Sequence, residues 1–230
     1  MKPELIVALD VPGADEVEGV LRRLPEEIRW FKVGLELFTA AGPAVLDSLR
    51  AAGKRIFLDL KLHDIPNTVA AAVRSAAGHR VDLLTVHATG GRAMLTAAAR
   101  AAAECGDRAP RLIAVTTLTS LSVEDLQEVG IQRSIPDQSI ALGRLALDSG
   151  LDGLVCSVHE LSGLRAAFGP APLLVTPGIR LAGDAVGDQK RVATPAEAAR
   201  QGSSFLVVGR SLLNAPDPAA TAQRILADLA

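Results

Sequence analysis

The chain has 230 residues, 49% of them hydrophobic, enough for a sizeable core in one large domain or two small ones. A net charge of −2, a pI near 6.1, 3% aromatics and no tyrosine argue against a general nucleic-acid binder or a base-stacking surface. No apolar run approaches a membrane span and Met1-Lys2-Pro3-Glu4 leads straight into a short strand-like run, so neither membrane insertion nor export is expected and the cytoplasm is the expected location.

The first strand is predicted over 5–9, closed by Asp10, with a helix over 14–24 after it. A second strand over 30–33 carries Lys32, and a helix over 43–52 ends before Gly53. The third strand, 56–60, runs into Asp59-Leu60-Lys61-Leu62-His63-Asp64-Ile65-Pro66-Asn67-Thr68. Side chains alternate along a strand, so Asp59 and Lys61 point the same way, and two carboxylates and an ammonium crowd one strand end. Burying charges is costly unless they are paired or used. Asn67 is placed to cap a helix over 67–77. Strands over 83–86, 112–116, 153–156, 173–176 and 205–208 follow, separated by helices over 92–104, 137–149, 158–168 and 195–201 and ended by one over 217–229. Thr194-Pro195 supplies a cap followed by proline at the first helical position, and Gly53, Gly78, Gly106, Gly150 and Gly202 sit where helices should stop. Cys105 and Cys156 are far apart, in no metal-like spacing, and read as reduced thiols.

Near-continuously apolar strands separated by helices imply parallel pairing with helices covering the sheet. Eight such units match an α/β fold, a single-domain (β/α)8 TIM barrel over residues 1–230, slightly compact against the typical ~250 residues. Periodicity cannot show closure, so a doubly wound open sheet is the alternative.

Barrel sites are built at the C-terminal ends of the strands. Polar groups recur there: Asp10, Lys32, Asp59, Lys61, His87, Thr116, Thr119, Ser120, Ser157, Thr176 and Arg210. Asp59 and Lys61 taken alone suit a structural ion pair as well as a site, and Lys32 alone suits a snorkelling lysine. Gly209-Arg210-Ser211 resembles an anion site, where glycine lets the backbone approach closely and arginine offers a planar fork. The long segment 178–192 reads as a lid from which Arg180 and Gln189 reach a phosphate. His63 and His87 are expected to position or pack, His79 and His159 to lie at the surface, and Gly90-Gly91 to open a helix.

The motif from Asp59 to Thr68 resembles the signature of orotidine 5′-phosphate decarboxylases. Ala8-Leu9-Asp10, Lys32-Val33-Gly34, Leu118-Thr119-Ser120, Val175-Thr176-Pro177-Gly178-Ile179-Arg180, Gly187-Asp188-Gln189 and Val208-Gly209-Arg210 match the bacterial branch of that family in order and approximate spacing. The resemblance implies a homodimeric barrel enzyme that converts orotidine 5′-monophosphate to UMP and carbon dioxide with neither metal nor organic cofactor. It makes Lys61 the proton donor and Asp59, Lys32 and Asp64 the rest of an alternating charge network. It assigns Asp10 and Lys32 to the ribose hydroxyls, Thr119 and Ser120 to the pyrimidine, and Pro177 to a further substrate contact. Arg180, Gln189, Gly209 and Arg210 grip the phosphate, and Asp64 and Thr68 serve the partner subunit's substrate.

Loss of carbon dioxide from C6 leaves an electron pair in the ring plane with no organic sink, so electrostatic stabilisation must come from the protein. An ammonium at Lys61 is suited to that and to delivering a proton. Besides a barrel phosphate isomerase with Asp10 or Asp59 as its base, two other readings compete. One is a metal-dependent sugar-phosphate decarboxylase or synthase of the same barrel group, against which Lys32 stands where a metal-binding acid would be needed. The other is a non-catalytic barrel that binds a phosphate ligand.

Overall fold

The computed structural model describes residues 2–180 and 193–229. Among these, β1 (Glu4–Ala8), β2 (Trp30–Val33), β3 (Arg55–Leu62), β4 (Leu83–His87), β5 (Arg111–Val115), β6 (Gly153–Val155), β7 (Leu173–Thr176) and β8 (Phe205–Val208) pair in chain order, all parallel. β8 pairs back onto β1, with Leu5 opposite Leu206, so the sheet closes into a barrel and the open-sheet alternative falls. The helices are α1 (Asp15–Arg22), α2 (Leu35–Ala41), α3 (Ala44–Ala51), α4 (Pro66–Gly78), α5 (Gly91–Ala103), α6 (Val123–Glu128), α7 (Ile135–Asp148), α8 (Val158–Phe168), α9 (Pro195–Arg200), α10 (Arg210–Leu213) and α11 (Pro218–Asp228).

Alternation along the strands divides the core in two. Inward side chains such as Ile6, Trp30, Phe57, Ile113, Phe205 and Val207 fill the barrel, with Trp30 and Phe205 meeting edge to face at 5.0 Å between ring centroids. Outward residues such as Val7, Phe31 and Leu84 pack under the apolar stripes of the helices. α4 and α5 bury mostly alanine, including Ala70, Ala76, Ala98 and Ala101, and these small residues let the two helices lie close to each other. A Cβ on Gly153 would lie 2.2 Å from the Leu173 carbonyl oxygen, so β6 and β7 approach only because that residue is glycine.

The lower ends of three strand pairs are fastened alike. Ile56 N–H donates to Asp82 Oδ2 (2.8 Å), Leu112 N–H to Asp152 Oδ2 (2.7 Å) and Leu174 N–H to Ser204 Oγ (3.1 Å). In each case the accepting residue returns its own backbone N–H to the carbonyl of the donor residue, at 2.9, 3.0 and 2.8 Å respectively. Such a ring satisfies strand-end groups that would otherwise be left unpaired.

Several local expectations need correction. Asn67 does not cap α4: Pro66 takes the first helical position and forces Ile65 into an extended conformation (ψ 152°), so the helix starts before Asn67. Gly78 is the last residue of that helix, as its place at a helix end implied, but the left-handed residue beyond it is Arg80 (φ 54°). By contrast Gly53, Gly106, Gly150 and Gly202 do take positive φ at chain reversals. Thr194 caps α9 as read, accepting from Glu197 N–H at 3.3 Å. The short helices α2, α6 and α10 have no counterpart in the sequence reading.

Candidate active site

β3 leaves regular geometry where its charges begin. Its pairing with β4 shifts register between Leu58 and Leu62, and Lys61 adopts a left-handed backbone (φ 51°) that a side-chain-bearing residue rarely takes. Strict alternation therefore does not hold there, yet Lys61 and Asp59 still face the same cavity.

That cavity, of about 390 Å³, opens at the C-terminal ends of the strands. Asp10, Lys32, Asp59 and Lys61 line one side. Lys32 Nζ lies 3.4 Å from Asp10 Oδ1 and 3.9 Å from Asp59 Oδ2, and Lys61 Nζ lies 2.9 Å from Asp59 Oδ2. Charges thus alternate in sign along a continuous row. Asp59 and Lys32 are the most enclosed, with side-chain exposures of 13% and 14%, where water screens the pairs least.

Thr119, Ser120, Pro177, Arg180, Gly209 and Arg210 also line the cavity, from the loops after β5, β7 and β8. Gly209 stands where a Cβ would lie 2.6 Å from Asp10 Oδ2. Its lack of a side chain therefore lets the Asp10 carboxylate sit over the β8 end. Arg180 Nη1 donates to the Ile179 carbonyl (2.9 Å). The backbone around it is tied to the return of the chain, with Arg180 N–H on the Ala193 carbonyl (3.0 Å) and Ala193 N–H on the Gly178 carbonyl (3.3 Å). Gln189 and most of the segment read as a lid lie outside the described residues.

Asp64 and Thr68 do not join the cavity. Both are exposed beyond the end of β3, in a stretch where Ile65 is 66% exposed and Asp64 Oδ1 accepts from Ile65 N–H. Three other polar strand ends also serve the scaffold. Ser157 caps α8 in a reciprocal box with Glu160, Thr176 Oγ1 bonds Ser203 Oγ (2.7 Å), and Thr116 Oγ1 donates to the Val155 carbonyl (2.9 Å). His79 lies at the surface, partly exposed, with Nδ1 3.1 Å from Asp47 Oδ1.

One residue at the centre escaped the sequence reading. Thr85, fully buried on β4, accepts from Lys61 N–H (2.8 Å) and donates through the same hydroxyl to Asp59 Oδ1 (3.0 Å). It fixes both the irregular backbone of Lys61 and the orientation of the Asp59 carboxylate. The only sequence signal is a hydroxyl within an otherwise apolar strand, Leu83-Leu84-Thr85-Val86.

His63 and His87 stack with ring centroids 5.3 Å apart and planes 21° from parallel, and His87 Nδ1 lies 2.7 Å from Thr89 Oγ1. Burial pushes the His87 imidazole below its ordinary pKa of 6.5, and the neighbouring charges of His63 and Lys61 act in the same direction.

Comparison with known proteins bears on what this row of charges does. A family model described as orotidine 5′-phosphate decarboxylase / HUMPS matches residues 3–225. The chain belongs to that family. Orotidine 5′-phosphate decarboxylases of Moorella thermoacetica and Opitutus terrae are 52% and 51% identical to it, over 99% and 100% of this chain and 92% and 99% of theirs. The solved orotidine 5′-phosphate decarboxylase of Lactobacillus acidophilus superposes with a TM-score of 0.88 at 38% identity, over 99% of both chains. An uncharacterized conserved protein from Geobacillus kaustophilus gives 0.87 at 40% identity, over 98% of this chain and all of that one (100%). As a member of the decarboxylase family the chain is an enzyme of the carboxy-lyase class. No helix among the described residues is long and apolar enough to cross a membrane.

Proposed function

We propose that this enzyme decarboxylates orotidine 5′-monophosphate to UMP and carbon dioxide, the last step of de novo pyrimidine nucleotide synthesis, as a single-domain barrel in the cytoplasm. The observation that carries the reading is the row Asp10, Lys32, Asp59, Lys61, alternating in sign along one wall of a nucleotide-sized cavity. As the bond from C6 to the carboxylate breaks, its electron pair stays on C6. The Lys61 ammonium stabilises that charge and delivers a proton to the carbon, and solvent then restores the lysine. Asp59 directs the ammonium, and Lys32 bridges Asp59 and Asp10 from the other side. Asp10 and Lys32 take the ribose hydroxyls, Thr119, Ser120 and Pro177 the pyrimidine side, and Arg180, Gly209 and Arg210 the phosphate. Gln189 belongs with the phosphate group by its sequence motif. Phosphate contacts far from C6 contribute to turnover when their binding energy orders the charges around the reacting carbon.

The reaction requires no metal or organic cofactor in this reading. Lys32 Nζ sits between the Asp10 and Asp59 carboxylates, on the ground a divalent cation would need, and two like charges there would repel.

The enzyme acts as a homodimer with shared sites. Asp64 and Thr68 are exposed and do not line their own cavity, and exposed Ile65 (66%) and Leu35 (56%), after adjacent strands, form apolar surface suited to a second copy. Asp64 and Thr68 then complete the partner's site.

Purified protein incubated with orotidine 5′-monophosphate and EDTA should convert the orotate chromophore to UMP. Absence of turnover, or turnover only after magnesium is restored, would overturn the reading.

A further inference from the structure

The opposite end of the barrel holds a second cavity, of about 590 Å³, around the starts of β3, β4 and β5. Its walls bring together Arg50, Arg55, Arg80, Arg108 and Arg111 against two carboxylates, Asp82 and Asp107. Five guanidiniums and two carboxylates leave a local charge of +3 on a chain whose net charge is −2, so general basicity does not account for the concentration.

The lower face of such barrels usually serves stability, and part of this cluster does. Arg50 donates to the Arg80 carbonyl (2.6 Å) and pairs with Asp82 (3.3 Å), while Arg55 lies over the Trp30 ring at 4.9 Å. Asp82 is occupied by these cations and by Ile56 N–H. The side chains of Arg80, Arg108 and Arg111 take part in no hydrogen bond or ion pair among the described residues. Asp107 is the one carboxylate of the basin left to offset these three cations, so an excess of positive charge is held there that structure alone does not explain.

Arg80 carries a second peculiarity. It occupies the left-handed position after α4 (φ 54°), where the comparable reversals after α3, α7 and α9 use Gly53, Gly150 and Gly202. A non-glycine residue there is strained, and such strain persists where the side chain or its placement is used. The Arg80 carbonyl is clamped by Arg50, which holds the residue at the rim of the cavity.

We infer that this basin is a second binding site, for a triphosphate group, carried either by inorganic tripolyphosphate or by a nucleoside triphosphate. Guanidinium forks match phosphate oxygens two at a time, and several phosphates in series match several arginines around one concave surface. The walls contribute little apolar surface beyond Val81 and Ala109, so the phosphates, not a base, are read.

The test is calorimetric titration of the intact protein with sodium tripolyphosphate, with UMP present to occupy the upper cavity, and with ATP in a parallel arm. Saturable binding that weakens with rising salt is expected, and Arg108→Ala/Arg111→Ala should weaken it at least tenfold while leaving kcat/KM for decarboxylation unchanged. Arg210→Ala should leave it intact, which separates this basin from the phosphate end of the upper cavity. Equal affinity for ATP and tripolyphosphate points to the triphosphate alone, and tighter ATP binding to a nucleoside triphosphate as the natural source. The proposal is overturned by no saturable binding of either probe. Equal binding by the Arg108→Ala/Arg111→Ala variant, or binding of polyglutamate but not tripolyphosphate, would overturn it as well.

Discussion

Lys61 reaches Asp59 at 2.9 Å from a backbone position that lysine disfavours. The ammonium is therefore held in place against local conformational preference, which separates what this residue does for activity from what it does for folding. Lys61→Gly is expected to be more stable than Lys61→Ala by about 1 kcal/mol, because glycine accepts positive φ without strain. Both should lose nearly all decarboxylation while still binding UMP. Denaturant unfolding and steady-state assays check the two halves; equal stabilities would show that the left-handed position carries no strain, and a near-native rate in either variant would remove Lys61 from catalysis.

Thr85→Val deletes the hydroxyl that both Lys61 N–H and Asp59 use, with little change in volume. A buried donor and acceptor left unpaired costs roughly 1–3 kcal/mol. The Asp59 carboxylate also loses its fixed orientation, so kcat should fall about tenfold or more while KM changes less. Thr85→Ser keeps the hydroxyl and should recover most of the rate. A Thr85→Val variant with native kcat would leave the residue a packing role only.

His87 predicts the shape of the acid limb. Its imidazole is pushed below the unfolded value of 6.5, so at pH values beneath 6.5 the unfolded chain binds the proton first. Stability then falls as pH drops from 6.5 towards the folded pKa, and above 6.5 the group contributes nothing because both states are neutral. Melting temperatures followed from about pH 8 to about pH 5 should decline less steeply in His87→Asn than in the parent. Parallel declines would show that another group controls the acid limb.

The shared-site reading is exposed to complementation. Lys61→Ala and Asp64→Ala are each expected to be nearly inactive, yet a mixed dimer regenerates one site with both residues native. After subunit exchange, activity should approach about a quarter of wild type, since half the dimers are mixed and each has one intact site of two. A mixture no better than its parents would place each site within one subunit.

What the sequence made readable follows the period of its side chains. Strand bounds fell within two residues of those observed because runs such as Phe205-Leu206-Val207-Val208 are apolar on both faces, as buried parallel strands must be. Asp10, Lys32, Asp59 and Lys61 were legible because charge at the end of such a run needs a reason. The short helices α2, α6 and α10 were not, since one or two turns give no periodic signal. Thr85 stayed hidden for a different reason: its role depends on a register shift between β3 and β4, a property of two strands together. The reach of Asp64 away from its own cavity is likewise invisible in a linear motif, where it stands only three residues from Lys61.

The matched rings at Ile56–Asp82, Leu112–Asp152 and Leu174–Ser204 divide the barrel into quarters, three of them a pair of strands latched at its own base. Only the first quarter lacks the latch; there Arg29 precedes β2, and the tie between the strands is Trp30 Nε1–H on Glu4 Oε2 at 3.0 Å. Circular permutation should therefore be unevenly tolerated around the ring. New termini opened between α5 and β5, or between α8 and β7, leave every latch within one continuous piece of chain. Termini opened between β3 and β4 force a latch to form between opposite ends of the polypeptide. The first quarter has its β1–β2 ladder but only a side-chain contact at its base, so fraying of the ring is expected to begin there when the protein unfolds.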